Sequence, residues 1–498
     1  MDKCIPKLGI PSLNLMKDYY MRIIFLCIFL FNFVFALDYV SFRENDKLGV
    51  KDKKGNIIIP AKFEDIDTTK FGDGLMPAQV QIDDYKNWGF INLKGDFVIA
   101  PTFERVKSGF IDGLAIVYHC GMTLRTNSCY YNFIDKHGNK ISEQKYFYDA
   151  KPFSEGLALV QSANDYLGTI NPGYGYINKT GKFVIEPKYD FHAKSFSEGL
   201  AVVAIGTFDK KYGYIDKLGN MVIPTKFENA SSFKDGLALV EIEEDGERYY
   251  SLINKKGDLI ANEKFHRLND FQKGIAVCSV EKEMSSNELS ALEAELANSN
   301  YKSSIKRMIS QEAKYKYGAI DRSGKWVIRP KYQYIDMFLD GFARAKIDDK
   351  FGMIDKSGKW IIEPKYKFLD KFSEGLAAAQ TDNGYGYIDK KGKMVISPNK
   401  TYITVSDFKN GLAIVSTKYI SPTYKEIRNG LRGKYVIGFI NKKGEVIIPP
   451  KYISRTNSIA PYFSNDNIYK VELNGKHGFI NKKGEECDKF GKLVKWSE

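Results

Sequence analysis

A chain of 498 residues that is 43% hydrophobic and 27% charged has the balance of a folded protein, which excludes a disordered or low-complexity class. Its 32 Tyr and 33 Phe, set against 5 His and 4 Trp, favour pleated, half-buried surfaces and so strands over helices. The formal net charge of +13 is moderate for this length; it permits attraction to an anionic surface or polymer, but a solvated exterior is the plainer reading.

In chain order, the first element is a leader. Residues 23–36 form an apolar run of about 14 residues directly after Met21-Arg22, with Val34 and Ala36 as small residues ahead of Leu37. This pattern predicts a signal peptide and a mature chain starting at Leu37, and hence export to a periplasm, a cell surface or the medium. The run is shorter than the ~20 residues of a spanning helix, so an uncleaved anchor is the weaker alternative. Residues 1–20 are unusual ahead of such a leader, and Met21 is an alternative start.

From Gly49 onward the chain repeats itself. The segment Tyr174-Gly175-Tyr176-Ile177-Asn178-Lys179-Thr180-Gly181 returns as Tyr212-Gly213-Tyr214-Ile215-Asp216-Lys217-Leu218-Gly219, and again from Phe351-Gly352 and Tyr385-Gly386. Eleven copies are found, with the Asx at Asp52, Asn92, Asp135, Asn178, Asp216, Asn254, Asp321, Asp355, Asp389, Asn441 and Asn481. Most are spaced by roughly 34 to 43 residues, a period of known repeat architectures. A Gly stands three residues after each Asx, as at Gly55 and Gly358. The Asx side chain can bond the following backbone, and Gly accepts the left-handed conformation that closes a hairpin. Strands flank the turn, and prolines such as Pro101, Pro187 and Pro364 end the second, because proline cannot donate to a ladder. A further element, Phe196-Ser197-Glu198-Gly199-Leu200-Ala201, recurs from Phe153, Phe233 and Phe372; its Gly marks a turn and Leu-Ala begins a third strand. Each unit then reads as a three-stranded antiparallel meander that needs its neighbours for stability.

Three places interrupt the pattern. Cys120 and Cys129 flank Gly121 to Ser128, and in an oxidising compartment they can staple the ends of one long loop as a disulfide. Residues 284–312 carry Leu289, Leu292 and Leu296 at helical spacing behind a Ser-to-Glu capping interval, which predicts a helical insert. Residues 416–434 read as a second, irregular insert. The domain plan is therefore a leader over 1–36, β-repeats over 37–283, the helical insert, and β-repeats over 313–498.

These units resemble the bacterial WG-repeat (KWG-repeat) family. The resemblance rests on the aromatic-Gly-aromatic-Ile-Asx-x-x-Gly cores, including a literal Trp88-Gly89 before Phe90-Ile91-Asn92, and on the Phe-x-x-Gly-Leu-Ala segments. It extends from about Gly49 to Gly484. Copies depart from it at Asn132 and Ser251, where the leading Gly is missing, and after Tyr452. The resemblance implies architecture and no particular reaction. The expected fold is an all-β tandem array of about eleven three-stranded meanders with a small helical insert, either solenoid-like and curved or closed into one or two β-propellers.

No catalytic constellation stands out. His119, His137, His192, His266 and His477 occupy different repeat positions with no ligand spacing, and no nucleophile elbow or phosphate loop occurs. The turn Asx is Asn in five of eleven copies, which suits a turn but not a calcium site. We therefore expect no cofactor, no metal and no enzyme activity. The residue after the Asx is basic in ten copies: Lys53, Lys136, Lys179, Lys217, Lys255, Arg322, Lys356, Lys390, Lys442 and Lys482. If stacking is regular these form a basic ridge, able to dock on an anionic envelope polymer or make peripheral membrane contact; Lys is equally an ordinary exposed turn residue that guards sheet edges. The leading expectation is a non-catalytic binding or scaffolding surface for a protein partner at the cell envelope. Nucleic acid is not expected for an exported chain.

Overall fold

The computed structural model describes residues 39–122, 127–141, 147–162, 173–206, 209–282, 290, 314–422, 433–454, 463–464, 468–473 and 476–487. The chain divides into two compact units, Met1–Glu243 with Ile253–Asp258, and Glu244–Leu252 with Leu259–Glu498. Among the described residues the regular elements are antiparallel strands in open sheets of three to eight, with one three-residue 3-10 turn at Thr68–Lys70. The fold is the all-β repeat array that the sequence pattern predicts.

The repeating unit is clearest in three four-stranded sheets. In the first unit, strands Asp65–Ile66, Met76–Ile82, Tyr85–Ile91 and Phe97–Phe103 follow one another in chain order. In the second, Tyr334–Ile335, Phe342–Ile347, Lys350–Asp355 and Trp360–Tyr366 do the same, and so do Phe368–Leu369, Leu376–Thr381, Gly384–Asp389 and Met394–Asn399. The last three strands are the predicted meander. The two-residue strand ahead of them has no hydrophobic pattern of its own and is added by pairing alone, as in Phe368↔Gln380 and Leu369↔Ala379.

Two turns hold each unit in register. Between the first and second strands, residues such as Glu374 and Gly375 both take positive φ (49° and 90°), flanked by the reciprocal backbone bonds of Ser373 and Leu376. This is the primed turn whose twist matches a right-handed hairpin. Between the third and fourth strands, the Oδ1 of the Asx accepts the backbone N–H two and four residues on. Asp355 does so from Ser357 (2.8 Å) and Lys359 (3.0 Å), and all eleven copies repeat it with either Asp or Asn. The turn needs an acceptor oxygen, not a charge.

The leading Gly of each copy has a separate cause. Phe351 pairs with Tyr366 and Met353 with Ile362, so residues 363–365 bulge across from Gly352 alone. A Cβ on Gly352 would lie 2.4 Å from the Ile362 carbonyl oxygen and 2.9 Å from the Pro364 nitrogen. Proline suits the bulge because no ladder donor is needed there. Where Ser251 replaces this Gly, its hydroxyl is buried without a partner, and the fourth strand gives way to bends ahead of Phe265–Leu268.

Each sheet is buried on both faces. Leu376 and Ala378 pack with Val405, Phe408 and Ala413 of the following repeat, whereas Ala377 and Ala379 pack with Met353, Ile362 and Tyr366 of the preceding one. Alternate residues of one strand thus serve two cores, which is why these strands read as continuous apolar runs. Adjacent repeats are also tied by hydroxyl bonds: Tyr332 donates to the Gly358 carbonyl at 3.0 Å and Tyr366 to that of Gly392 at 3.3 Å.

Two expectations change at this level. The irregular insert is narrower than 416–434, because Leu412–Ile420 and Lys434–Asn441 are paired strands with Tyr419 opposite Tyr435. Cys120 and Cys129 do not close a long loop: they stand directly opposite each other in the paired strands Ala115–Met122 and Asn127–Ile134. The leader and, Ser290 apart, the insert 284–312 lie outside the described residues.

Candidate interaction surface

The predicted basic ridge has an acidic counterpart. Five of its lysines reach back to the carboxylate of a primed turn 57 to 68 residues earlier: Lys136 to Asp73 (3.6 Å), Lys179 to Asp112 (3.7 Å), Lys217 to Glu155 (3.2 Å), Lys255 to Glu198 (3.2 Å) and Lys442 to Glu374 (2.9 Å). The same carboxylates accept a backbone N–H from the next primed turn, as from Gly113 to Asp73, Gly199 to Glu155, Gly236 to Glu198 and Gly411 to Glu374, at 2.9 to 3.0 Å. Ser154, Ser197 and Ser373 add hydroxyl bonds to the carbonyls of Phe196, Phe233 and Phe408. At Asp73, Glu155, Glu198 and Glu374 the acidic turn is therefore a clasp joining two successive repeats through both the primed turn and the Asx turn of the second.

Partial burial opposes ionisation of Glu155, Glu198 and Glu374, but the hydrogen bonds win. The Gly411 and Lys442 donors hold the Glu374 carboxyl below its ordinary range, and the same arrangement lowers Glu155 and Glu198. Arg322 lies over the Phe271 ring at 5.9 Å, and Lys53 sits at the first Asx turn. Lys356, Lys390 and Lys482 form no ion pair among the described residues. Much of the ridge is thus a row of ion pairs, whose field is far weaker than that of ten bare cations.

A different feature faces solvent in both units. The fourth strand alternates strictly, with its second, fourth and sixth residues exposed and its third and seventh buried. The second residue is always aliphatic and β-branched: Val98, Val184 and Val222 in the first unit, and Val327, Ile361, Val395 and Ile447 in the second, from 37% to 49% exposed. The sixth is Lys in most copies, lying over the ring of the next residue. Lys188 is 5.3 Å from the Tyr189 centroid, and Lys226, Lys331, Lys365 and Lys451 match it at 5.1 to 5.4 Å. Five of these seven strands therefore offer one aliphatic side chain and one anchored cation at fixed separation, while Thr102 and Asn399 stand in place of the cation in the other two. The sequence shows these residues, but their shared orientation follows only from the bulge that sets the strand's phase.

The remaining candidates are dispersed. His192 bonds Asp190 through Nδ1 at 3.0 Å beside Lys210, His266 stacks on Tyr315 at 3.6 Å, and His119 lies 3.6 Å from Glu104. His137 sits in an Asx turn and His477 in a strand. Among the described residues no three His, Cys, Asp or Glu side chains converge on a metal position. No described helix is long and apolar enough to cross a membrane.

A family model described as a WG containing repeat matches nine stretches: residues 49–85, 88–119, 133–166, 174–206, 212–244, 317–351, 351–385, 385–418 and 437–476. No curated protein matches the chain. Among solved structures it is similar to the tricorn protease at 11% identity and a TM-score of 0.23, over 89% of this chain and 45% of that one, so it spans less than half of that enzyme's length. It is also similar to the extracellular domain of a hybrid two-component system from B. thetaiotaomicron, at 8% identity and a TM-score of 0.22, over 89% of this chain and 73% of that one. An exported protein from Bacteroides fragilis NCTC 9343 matches at 8% identity and a TM-score of 0.20, over 57% and 94%. At such TM-scores these likenesses carry nothing about function.

Proposed function

We propose, for a chain that belongs to the family of WG-containing repeat proteins, that it works without catalysis as an exported scaffold which binds a protein partner along its fourth-strand faces. The observation that carries this reading is the recurrence of an exposed Val or Ile beside an anchored Lys on strand after strand. Solvated surfaces ordinarily scatter their apolar residues, whereas a patch repeated in phase marks a place of contact. The prolines at the bulge remove ladder donors, so the partner meets side chains and does not extend the sheet. Export rests on the apolar run over 23–36 and on cleavage ahead of Leu37.

The second reading, docking on an anionic envelope polymer or membrane surface through the turn lysines, is weakened by the carboxylates that occupy five of them. A salt titration separates the two. The chain from Leu37 onward is incubated with isolated cell envelopes from low to high ionic strength. Retention that persists at high salt and falls in the double variant Ile361→Asp, Val395→Asp supports the protein-partner reading. Retention that vanishes with salt and ignores that variant replaces it with polymer binding. Absence of retention under all conditions overturns the envelope role.

A further inference from the structure

In four repeats the link from the short first strand to the Phe ahead of the primed turn has one length. Two residues stand between Ala230 and Phe233, Ile335 and Phe338, Leu369 and Phe372, and Val405 and Phe408. Between Ile66 and Phe71 there are four, Asp67 to Lys70, and they carry the 3-10 turn Thr68–Lys70. This longer turn is firmly held. Asp67 accepts the Thr69 N–H at 3.1 Å and pairs with Lys70 at 3.1 Å, and Lys70 donates to the Val106 carbonyl of the next repeat at 2.9 Å. Beside it, within the first unit, lies a solvent-open cavity of about 350 Å³, in the size range of small-molecule sites.

The cavity exposes groups that the array satisfies elsewhere. Strand register places Asp65, Gln79 and Trp88 in one row, as it places Asp149, Gln161 and Tyr174 two repeats on. There the Tyr174 hydroxyl donates to Asp149 at 3.1 Å. Trp88 is the one Trp at this position in the eleven copies and has no hydroxyl to offer. Among the described residues Asp65 therefore accepts only the backbone N–H of Ile66. Arg105 lies 6.0 Å from the Tyr118 ring centre and forms no ion pair among the described residues. The hydroxyls of Ser41 and Thr68 and the Trp88 indole N–H likewise have no hydrogen-bond partner there. All five side chains line the cavity.

We infer that this cavity binds a single neutral pyranose ring of a sugar. The indole offers an apolar surface to the C–H face of the ring and an N–H donor at its edge. A sugar hydroxyl both donates and accepts, so neighbouring hydroxyls suit one carboxylate acceptor and one guanidinium donor, Asp65 and Arg105. The lining holds two acids, Asp65 and Asp67, against two cations, Lys70 and Arg105, and so favours a ligand without net charge. None of these residues belongs to a fourth strand, so the site stands or falls apart from the scaffold reading.

The test uses the chain from Leu37 onward, labelled with ¹⁵N at its tryptophan indoles and observed by NMR. The probes are glucose, galactose and mannose, their methyl glycosides, glucosamine and glucuronate. At least one neutral probe should saturate and move the Trp88 indole signal, while those of Trp326 and Trp360 stay in place. Binding of the free sugar alone marks a monosaccharide as the ligand, and binding of its methyl glycoside marks the end of a chain. Asp65→Asn and Arg105→Gln should each weaken binding about tenfold or more, the scale of one hydrogen bond to a charged group. Trp88→Tyr is the most specific variant. Tyr stands at this position in six copies, so the fold should be kept, and the new hydroxyl should cap Asp65 and abolish binding. Circular dichroism identical to the parent chain establishes that the variants fold. No movement of the Trp88 signal with any neutral probe, undiminished binding in Asp65→Asn and Arg105→Gln, or tighter binding of glucosamine or glucuronate than of the neutral sugars would each overturn the assignment.

Discussion

At the scale of single residues, Gly352 and Gly375 show two different demands made on the same amino acid. Gly375 has positive φ with open space around its missing Cβ, whereas Gly352 has ordinary backbone but a carbonyl 2.4 Å from where a Cβ would stand. Gly375→Ala should therefore lower stability by about 1–2 kcal/mol through the left-handed conformation alone. Gly352→Ala must displace the bulged strand and should lose about 3 kcal/mol or more, the scale of a severe overpacking change. Denaturant midpoints at constant slope measure both, and equal losses would refute the close-approach account. A second residue-scale test concerns Asp407. Burial, followed by the Asp370 carboxylate, raises its pKa to about 6. An acid raised above its unfolded value of about 3.9 favours folding while protonated, and this contribution is lost as pH rises through about 6. Asp407→Asn should consequently raise the melting temperature at pH 7.5, and the gain should disappear by about pH 4. A gain independent of pH would show that packing and not charge is responsible.

At the scale of the element, the clasp and the hairpin obey opposite rules of legibility. The Asx hairpin was readable in all eleven copies because its donors and acceptor lie within four residues of each other. The clasp was not, because Lys442 and Glu374 are 68 residues apart and each looks like a solvated turn residue on its own. Exposed ion pairs of this kind contribute about 0.2–1 kcal/mol each. Their acids are depressed, so the contribution is present above the unfolded carboxylate pKa of about 4.3 and is lost as pH falls through the lower folded value. A double-mutant cycle on Glu374→Gln and Lys442→Met should return a coupling within that range at pH 7 that vanishes by about pH 3. A coupling that persists in acid would mean that the bond to the Lys442 ammonium is not ionic. The hydrophobic pattern likewise revealed three strands per unit and missed the fourth, since two residues such as Phe368–Leu369 are too few to carry a period.

At the scale of the whole molecule, the chain's own carboxylates engage part of its basic charge before any partner arrives. Five ridge lysines already have carboxylates, whereas fourth-strand lysines such as Lys365 stay exposed over the ring of the next residue. Cys120 and Cys129, opposite each other across paired strands, lie within the Cα separation that a disulfide tolerates. The protein recovered from an oxidising compartment should begin at Leu37, and its intact mass should be lighter by two hydrogens than that of the reduced chain. Thiols at both positions that react freely without reductant would count against the bridge.

The sequence alone determined the repeat, its all-β character and its hairpin chemistry, because these depend on local turn geometry and on a period of apolar residues that any one copy displays. Only the tertiary structure decided which lysines are neutralised, why the leading Gly cannot carry a Cβ, and which face of the fourth strand meets solvent. Each of those is a relation between separate strands or repeats, fixed by stacking distance and strand phase, and neither quantity is written in the residues of a single copy.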